Sequence, residues 1–348
     1  MRNRRVVYIG NVPVGGNNPI TIQSMTNTET KNIEATVDQI KSLEKAGCEI
    51  VRVAVPDMES TEAIRKIKKK INIPLIADIH FDYRLALKSI DQGIDGLRIN
   101  PGNIKKEKYV EQIVQKIKKS GRSIPIRIGV NSGSINRKKY NVTPSGLVDS
   151  AVDHIKILEK LNFYDIKVSL KSSDVLKTIK SYEKFSKKMD YPLHGGITEA
   201  GGSLKGTVKS STGLGILLYK KLCDTIRVSL TGDPVKEVEV AKNILSSLNK
   251  RKFGVEIISC PTCGRAKIDV ESMVKKVENN LPDMDKNLKI AIMGCAVNGP
   301  GEARDADIGI AGGTHEGLIF LKDKIIGKYK EDNLIDELIK NIEKYYGK

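Results

Sequence analysis

The sequence predicts an α/β fold, with a closed (β/α)8 barrel (a TIM barrel) over residues 1–250 and a small α+β domain over residues 251–348. Three observations support this prediction. Short apolar runs alternate with amphipathic helical stretches through the first part of the chain, and the pattern changes near Phe253. The length of 348 residues also exceeds what one hydrophobic core usually organises.

Eight runs rich in Val, Ile and Leu have the length of strands and the near-continuous apolar character of a buried parallel sheet. They lie at 20–25, 49–55, 73–81, 96–102, 124–131, 164–171, 191–201 and 224–230. Eight strand-then-helix units in roughly 240 residues favour a closed barrel over an open doubly wound sheet. No GxGxxG motif follows the first strand, which also disfavours a dinucleotide-binding fold.

Helical stretches lie between these runs, with apolar residues at i, i+3 and i+4. The stretches at 33–47 and 109–121 both end in glycine, a common helix stop. The last barrel helix is predicted to begin at Asp233-Pro234, a cap followed by proline in the first turn, and to end near Lys250.

A different order of elements follows Phe253. The pattern predicts a strand at 255–259, a helix at 270–281, a strand at 289–294, apolar runs near 308–326 and an amphipathic helix at 332–346. No Pro- or Ser-rich linker separates this region from the barrel. We therefore expect an α+β domain of about 95 residues.

The charge of the chain is high but dispersed. The formal net charge is +17, yet the lysines are spread over helix-like stretches, Trp is absent and Phe and Tyr are few. Nucleic-acid binding would need a basic stripe with interleaved aromatics, so we expect an anionic small-molecule substrate instead. No signal-peptide core and no run of about 18 apolar residues is present, so we expect a soluble cytoplasmic protein that does not bind membranes.

Cations interrupt five of the eight predicted strands in the same phase: Arg52, Arg98, Arg127, Lys167 and Arg227. With the period of two that strands have, their polar face also includes Asn100, Asn131, Ser169, Lys171 and Ser229. Their apolar neighbours would pack on the helices, so the polar face looks into the barrel. Internal ion pairs with Asp78, Asp82 and Glu199 are one interpretation. A substrate with more than one phosphate is the other, and it is favoured because strand-borne carboxylates are few.

Ionisable residues are also predicted at the ends of the barrel strands, where active sites of this fold form. Asp78 and His80 lie in ADIHFDY, and His194 and Glu199 lie in HGGITEAG. A carboxylate placed there can act as a general acid, with its pKa set by burial and by nearby cations. Each residue taken alone could be structural, whereas the group at one barrel mouth favours catalysis.

Three of the five cysteines cluster in the second domain. Cys260 and Cys263 form a CxxC pair in CPTCGR, and Cys295 lies in MGCAVNGPGEA. Structural zinc usually has four ligands, so three thiols with neighbouring glycines favour a [4Fe–4S] cluster, with zinc and redox thiols as alternatives. Glu302 is a candidate oxygen ligand for the iron that lacks a cysteine. Cys48 and Cys223 are predicted to be buried structural residues.

Longer motifs carry a family resemblance. From about Gly10 to Gly313 the chain contains QSMTNT, VRVAVP, ADIHFDYRLAL, LRINPGNI, IRIGVNSGS, KVSLKSSD, TEAGG, RVSLTGDPVKEV, CPTCGR and GCAVNGPGEA in order. In these motifs it resembles the 4-hydroxy-3-methylbut-2-en-1-yl diphosphate synthases of the non-mevalonate isoprenoid pathway. It is similar to the two-domain bacterial type, because no large domain separates the barrel from the cysteine region. It departs from the family at Gly195, where a bulky apolar residue is common.

The resemblance implies reductive ring opening of 2-C-methyl-D-erythritol 2,4-cyclodiphosphate, with electrons from flavodoxin or ferredoxin. It implies a head-to-tail homodimer in which the cluster of one copy caps the barrel of the other. It also implies cluster ligation by Cys260, Cys263, Cys295 and Glu302, diphosphate contacts from Arg52, Arg98, Arg127, Asn131, Lys167, Arg227 and Ser229, and an acid at Glu199. A redox sensor that binds a phosphate ligand and a zinc-stabilised barrel enzyme are the rival hypotheses.

Overall fold

The computed structural model describes residues 4–80, 82–99, 104, 106–281, 287–295 and 306–347. The chain forms two compact units, Met1–Arg251 and Lys252–Lys348.

An antiparallel hairpin that the sequence analysis did not predict precedes the barrel. Its strands are β1 (Val6–Ile9) and β2 (Val12–Gly15), joined by a turn at Gly10 with φ of 57°. The apolar side chains of the hairpin pack on Ile50 and Ile76, at the beginnings of two barrel strands. The hairpin therefore covers the N-terminal end of the barrel and leaves the opposite end available for a site.

The first unit is a closed barrel of eight parallel strands, which confirms the predicted fold class. The strands are β3 (Thr21–Met25), β4 (Ile50–Ala54), β5 (Leu75–Ile79), β6 (Gly96–Ile99), β7 (Ile126–Asn131), β8 (Ile166–Lys171), β9 (His194–Gly195) and β10 (Thr225–Ile226). Each pairs in parallel with its neighbours in chain order, and β10 pairs with both β3 and β9. A parallel bridge between Val168 and Leu193 completes the ring.

Eight helices follow the barrel strands in turn: α1 (Ile33–Ala46), α2 (Met58–Lys68), α3 (Tyr83–Asp91), α4 (Glu107–Ser120), α5 (Pro144–Lys160), α6 (Val175–Lys188), α7 (Ser203–Tyr219) and α8 (Pro234–Ser247). Polar side chains cap most of their N-termini, and Asp233 accepts a bond from the Val235 amide at 2.9 Å. Helix α8 thus begins at the predicted cap, and it ends before Lys250.

The last two barrel strands are much shorter than the apolar runs that predicted them, with two residues each in β9 and β10. Their runs continue as irregular backbone that contains Gly196, Thr198 and Ser229. Glycine and hydroxyl residues weaken a ladder but allow close approach of side chains from other strands. These two segments therefore form part of the wall of a cavity rather than regular sheet.

The second unit is a five-stranded mixed sheet with two helices. Its elements are β11 (Val255–Ser259), α9 (Val270–Asn280), β12 (Leu288–Met293), β13 (Ile308–Gly313), β14 (Glu316–Leu321), β15 (Lys324–Lys330), a 3-10 helix (Glu331–Asn333) and α10 (Leu334–Tyr346). Strands β11, β12 and β13 are parallel, and β14 and β15 continue the sheet antiparallel. The apolar sides of both helices pack on one face of the sheet around Ile290 and Ile310.

Among the helices that the structure describes, none has the length and apolar character needed to cross a lipid bilayer.

Candidate functional site

A cavity of about 410 Å³ opens at the C-terminal ends of the barrel strands. Its walls come from residues that end a strand or directly follow one, because inward-facing side chains recur at every second position. The lining residues are Arg52, Asp78, His80, Arg98, Arg127, Asn131, Ser134, Lys171, Thr198, Arg227 and Ser229. Five cations and one carboxylate thus share this wall, a charge imbalance that suits a polyanionic ligand.

Asp78 is the carboxylate that organises one side of the cavity. Arg98 Nη1 donates to Asp78 Oδ1 at 2.8 Å, and Arg52 Nη1 lies 3.5 Å from Asp78 Oδ2. Burial raises the pKa of Asp78, but the two guanidinium groups outweigh this effect and bring the pKa to about 2. Asp78 is therefore ionised near neutral pH, and it holds two arginines in place.

His80 joins this network as a neutral ring. Arg98 Nη1 lies 3.1 Å from His80 Nε2, so this nitrogen accepts the bond when the ring is neutral. Burial lowers the pKa of His80, and the nearby arginines lower it further against the opposing effect of Asp78. The surroundings therefore favour a neutral, hydrogen-bonded imidazole.

The opposite side of the cavity is organised by Glu237, which the sequence analysis missed. Its carboxylate is buried in the first turn of α8 and accepts from Arg227 Nε at 3.2 Å and from Arg227 Nη2 at 3.3 Å. The Leu230 amide and the Ser24 hydroxyl also donate to it. Its position in the first helical turn after β10 is the sequence signal that places it at the same end of the barrel as Arg227.

Two glycines make room for the cations. A Cβ built on Gly129 would lie 2.7 Å from Arg98 Nε, and one on Gly196 would lie 2.5 Å from Lys171 Nζ and 2.6 Å from the Arg227 carbonyl. Real Cβ atoms do not approach other atoms so closely. The glycines therefore let long cationic side chains lie flat against the barrel wall.

Lys171 lines the cavity, whereas Lys167 does not. Both project inward from β8, but Lys171 is the last residue of the strand, whereas Lys167 lies four residues earlier and is only 1% exposed. Burial and neighbouring cations lower the pKa values of both amines well below their usual value. The geometry therefore supports Lys171, rather than the predicted Lys167, as the lysine that meets a ligand.

A polar layer lies beneath the cavity. Lys167 Nζ and both ring nitrogens of His194 are buried without a hydrogen-bond partner among the described residues. Burial, followed by surrounding cations, lowers the pKa of His194 well below its usual value. Ser169 is also fully buried and accepts from Arg127 Nη1 at 2.6 Å. His194 and Ser169 were predicted to contact substrate, but the structure places both behind the cavity wall.

Glu199 lies beside the cavity rather than in its wall. It directly follows the lining residue Thr198, its side chain is exposed, and its backbone has the left-handed φ of 52° that is unusual for a residue with a Cβ.

Asp82 does not join the cations, because it caps α3 and pairs with Arg84. Asn100, predicted to share a face with Arg98, lies outside the described residues.

Two cysteines of the second unit follow the C-terminal ends of neighbouring strands. Cys260 directly follows β11 and Cys295 follows β12 by two residues, and these strands are parallel neighbours with Ser259 opposite Ile292. The Gly294 amide donates to Cys260 Sγ, with nitrogen and sulfur 3.1 Å apart. Cys263 lies in an exposed turn between them. In contrast, Cys48 and Cys223 are buried in the first unit.

This arrangement fits an iron–sulfur cluster in its donor chemistry. Thiols after the ends of two neighbouring strands and a backbone amide aimed at one of the sulfurs are features of such sites. A Cβ on Gly294 would lie 2.9 Å from Val270 Cγ2, so a side chain is excluded next to Cys260. Within the part of the chain that the structure describes, no three His, Cys, Asp or Glu side chains form a ready metal-binding group. Glu302 lies outside that part.

Solved structures show the fold of the first unit. Dihydropteroate synthase from Yersinia pestis superposes with a TM-score of 0.52 at 10% identity, covering 70% of this chain and 98% of that chain. The enzyme of the same name from Stenotrophomonas maltophilia gives a TM-score of 0.52 at 12% identity, over 67% and 94% of the two chains. At such low identity the likeness concerns the barrel alone.

Sequence relatives and family descriptions cover nearly the whole chain. A 4-hydroxy-3-methylbut-2-en-1-yl diphosphate synthase (flavodoxin) from Caldanaerobacter subterraneus is 57% identical over 98% of this chain and 96% of its own length. One from Clostridium perfringens is also 57% identical, over 98% and 99%. The GcpE TIM-barrel domain matches residues 4–242, and the GcpE protein C-terminal domain matches residues 256–344. The chain therefore belongs to the GcpE family.

Proposed function

We propose that this chain is a 4-hydroxy-3-methylbut-2-en-1-yl diphosphate synthase. It converts 2-C-methyl-D-erythritol 2,4-cyclodiphosphate into 4-hydroxy-3-methylbut-2-en-1-yl diphosphate and water by reductive ring opening. The observation that carries the proposal is the cavity in which five cations face a single lining carboxylate. Curated relatives with this activity in their names support the same reaction for this chain.

The cavity binds the cyclic diphosphate through its cations. Arg52 and Arg98 are fixed by Asp78, and Arg227 is fixed by Glu237, so their remaining N–H groups are already oriented when substrate arrives. Guanidinium groups match the spacing of phosphate oxygens. Arg127, Asn131, Lys171 and Ser229 complete the substrate-binding set.

Substrate binding also changes the electrostatic surroundings of the lysine in the wall. Lys171 is surrounded by Arg127, Arg227, Arg52 and Arg98, which disfavour a further positive charge. Two phosphate groups supply negative charge at that point, which favours the charged form of Lys171. The charged lysine then stabilises the diphosphate as it becomes the leaving group at C2.

Glu199 supplies the proton that turns the departing hydroxyl group into water. Its exposed carboxyl lies beside Thr198 of the cavity wall, and its backbone has a left-handed conformation that is unusual for a residue with a Cβ. Asp78 and His80 were predicted as catalytic, but both are engaged by the arginines of the cavity wall. Both act instead by positioning Arg98.

The cofactor is a [4Fe–4S] cluster held by Cys260, Cys263, Cys295 and Glu302. When bound, the cluster delivers two electrons to the substrate one at a time.

The electron donor is flavodoxin or ferredoxin, and the protein works in the cytoplasm. The enzyme is a head-to-tail homodimer, in which the cluster of one copy serves the barrel of the other.

Anaerobic purification followed by iron and sulfide counts tests the cofactor. We expect roughly four irons and four sulfides per chain and an absorbance near 400 nm, and both should fall strongly in Cys260→Ser. Bound zinc without sulfide would contradict the assignment. Incubation of the reduced protein with cyclodiphosphate should give product by mass spectrometry, whereas ligand binding without product would favour a redox sensor.

A further inference from the structure

The last residue of β3 is a methionine that lies between two of the cavity arginines. Met25 is half-buried, and it pairs in register with Arg52 of β4. Strand β10 lies on the other side of β3, and Arg227 directly follows it. Met25 therefore stands at the cavity end of the barrel as an uncharged residue with an arginine on each side.

Both arginines contact the thioether sulfur of Met25. Arg52 Nε lies 3.2 Å from Met25 Sδ, and Arg227 Nη1 lies 3.5 Å from the same atom. These distances fit hydrogen bonds to sulfur, which is a weaker acceptor than oxygen. One uncharged atom thus accepts from both guanidinium groups.

The sulfur completes a chain of polar contacts along one side of the cavity. Beyond Arg52, the chain continues to Asp78, whose Oδ2 lies 3.5 Å from Arg52 Nη1. Beyond Arg227, it continues to Glu237, whose Oε2 accepts from Arg227 Nε at 3.2 Å. Each arginine is therefore held by a carboxylate and by Met25. Because a guanidinium group is planar and rigid, contacts at two of its nitrogens fix its orientation.

An uncharged acceptor at this point preserves the positive charge that a diphosphate needs. Burial lowers the pKa of Arg52 to about 10, and the charge of Arg227 lowers it as well, against the opposing effect of Asp78. Arg52 is therefore protonated near neutral pH. A carboxylate at position 25 would bind both arginines more strongly but would cancel one positive charge. An alkyl group would keep the charge but leave two N–H groups without this acceptor.

We propose that Met25 is a positioning residue for the substrate. Its sulfur orients Arg52 and Arg227 without neutralising them, so that their remaining N–H groups meet the diphosphate. The inference rests on the proposed function, because it assumes a diphosphate ligand in the cavity. A role in packing alone predicts a different result, since leucine has nearly the volume of methionine but no acceptor atom.

Isothermal titration calorimetry of full-length variants with cyclodiphosphate and with inorganic pyrophosphate tests the proposal. We expect Met25→Leu to weaken the binding of both ligands roughly 3- to 10-fold. Met25→Glu should weaken it roughly 10- to 100-fold, because it cancels a charge. Met25→Gln restores an uncharged acceptor and should bind within about 3-fold of wild type. Met58→Leu, at the exposed start of α2, is the control and should leave binding unchanged.

The outcomes separate this proposal from the proposed function. Wild-type affinity in Met25→Leu, or equal affinities in Met25→Gln and Met25→Glu, would overturn the positioning role, with circular dichroism confirming that each variant is folded. The expected order with pyrophosphate, beside a wild type that does not bind cyclodiphosphate, would support Met25 and contradict the proposed substrate. A wild type that binds neither ligand would overturn both.

Discussion

At the scale of single residues, the cavity depends on a few carboxylates that hold a larger number of cations. Asp78 and Glu237 pair with three of the arginines, while Arg127 has only the Ser169 hydroxyl and two nitrogens without a partner in the described chain. An interior with this excess of positive charge is costly in the absence of an anion. We therefore expect ligand binding to stabilise the fold.

Asp78→Asn should expose this cost. It leaves Arg52 and Arg98 without their anion, and breaking such a buried pair costs about 3–5 kcal/mol of unfolding free energy. Added cyclodiphosphate should recover part of the loss, because phosphate replaces the missing charge. Thermal unfolding with and without ligand measures both effects. Asp82→Asn, which keeps a capping side chain and removes only the exposed ion pair with Arg84, is the control and should cost less than about 1 kcal/mol. Equal losses in the two variants would contradict the role of Asp78.

The lowered pKa of Asp78 predicts that the stability of the fold depends on pH. The folded pKa of Asp78 is about 2, below its ordinary value of 3.8. A depressed pKa means that its stabilising effect is fully present above pH 4 and is lost as the pH falls towards 2. Acid titration of wild type and Asp78→Asn should therefore show stability curves that converge in this window.

The two lysines of β8 should respond differently to removal of their amines. Lys171→Met is expected to weaken cyclodiphosphate binding by roughly 10- to 100-fold, since it deletes a cation from the cavity wall. Lys167→Met replaces a buried, unpartnered amine with an apolar chain and should change binding by less than about 3-fold while preserving or raising stability. Isothermal titration calorimetry decides, and the reverse order of effects would restore Lys167 as the direct contact.

Glu199→Gln tests the proposed acid. Removing a positioned acid should lower turnover by about 100-fold or more. Cyclodiphosphate affinity should stay close to wild type, because Glu199 lies outside the cation-lined wall. Turnover with a strong chemical reductant, measured beside iron content, separates proton transfer from electron supply. Wild-type turnover in this variant would remove the assignment.

At the scale of elements, the period of two in the strands predicted which cations face the barrel interior. Arg52, Arg98, Arg127 and Arg227 do line the cavity. The period could not predict depth, so it did not separate Lys167 from Lys171. It also could not predict Glu237, because this residue lies on a helix, whereas its partner Arg227 directly follows a strand. Both β9 and β10 were predicted too long, because an apolar run does not show where the ladder ends.

Gly196→Ala tests whether the irregular end of the β9 segment is required. The new Cβ would lie 2.6 Å from the Arg227 carbonyl, a backbone atom that cannot rotate away. We expect a loss of about 1–3 kcal/mol of unfolding free energy, together with weaker ligand binding. Gly133→Ala is the matched control, since its Cβ meets nothing within 4 Å. Urea unfolding that shows equal stability for both variants would contradict this account.

At the scale of the whole molecule, sequence motifs predicted the family, and the relatives confirm it. The barrel and its hairpin were only partly predictable, because the β1–β2 ribbon is short and its partners are distant in sequence. Each unit has its own core and its own chemistry, with cations in one and thiols in the other. A reaction that needs both must bring them together, and we propose that a second copy does so.

Mixing two inactive variants tests this pairing. Arg98→Ala disables a barrel and Cys260→Ser disables a cluster, so a mixed dimer keeps one complete site only if the site is shared between copies. Random exchange should restore about one quarter of wild-type turnover. Each variant alone gives the baseline, and iron content verifies loading of the Arg98→Ala chains. No recovery after verified exchange would place both halves of the site in one chain.

The central claim is that the barrel cavity presents a cyclic diphosphate to electrons from the cysteine site. Its most direct test is the stoichiometry of product formed by pre-reduced, iron-loaded protein under anaerobic conditions. We predict roughly one 4-hydroxy-3-methylbut-2-en-1-yl diphosphate for every two electrons consumed, and none from Cys260→Ser. Consumption of electrons without product, or product from protein that lacks iron, would contradict the account.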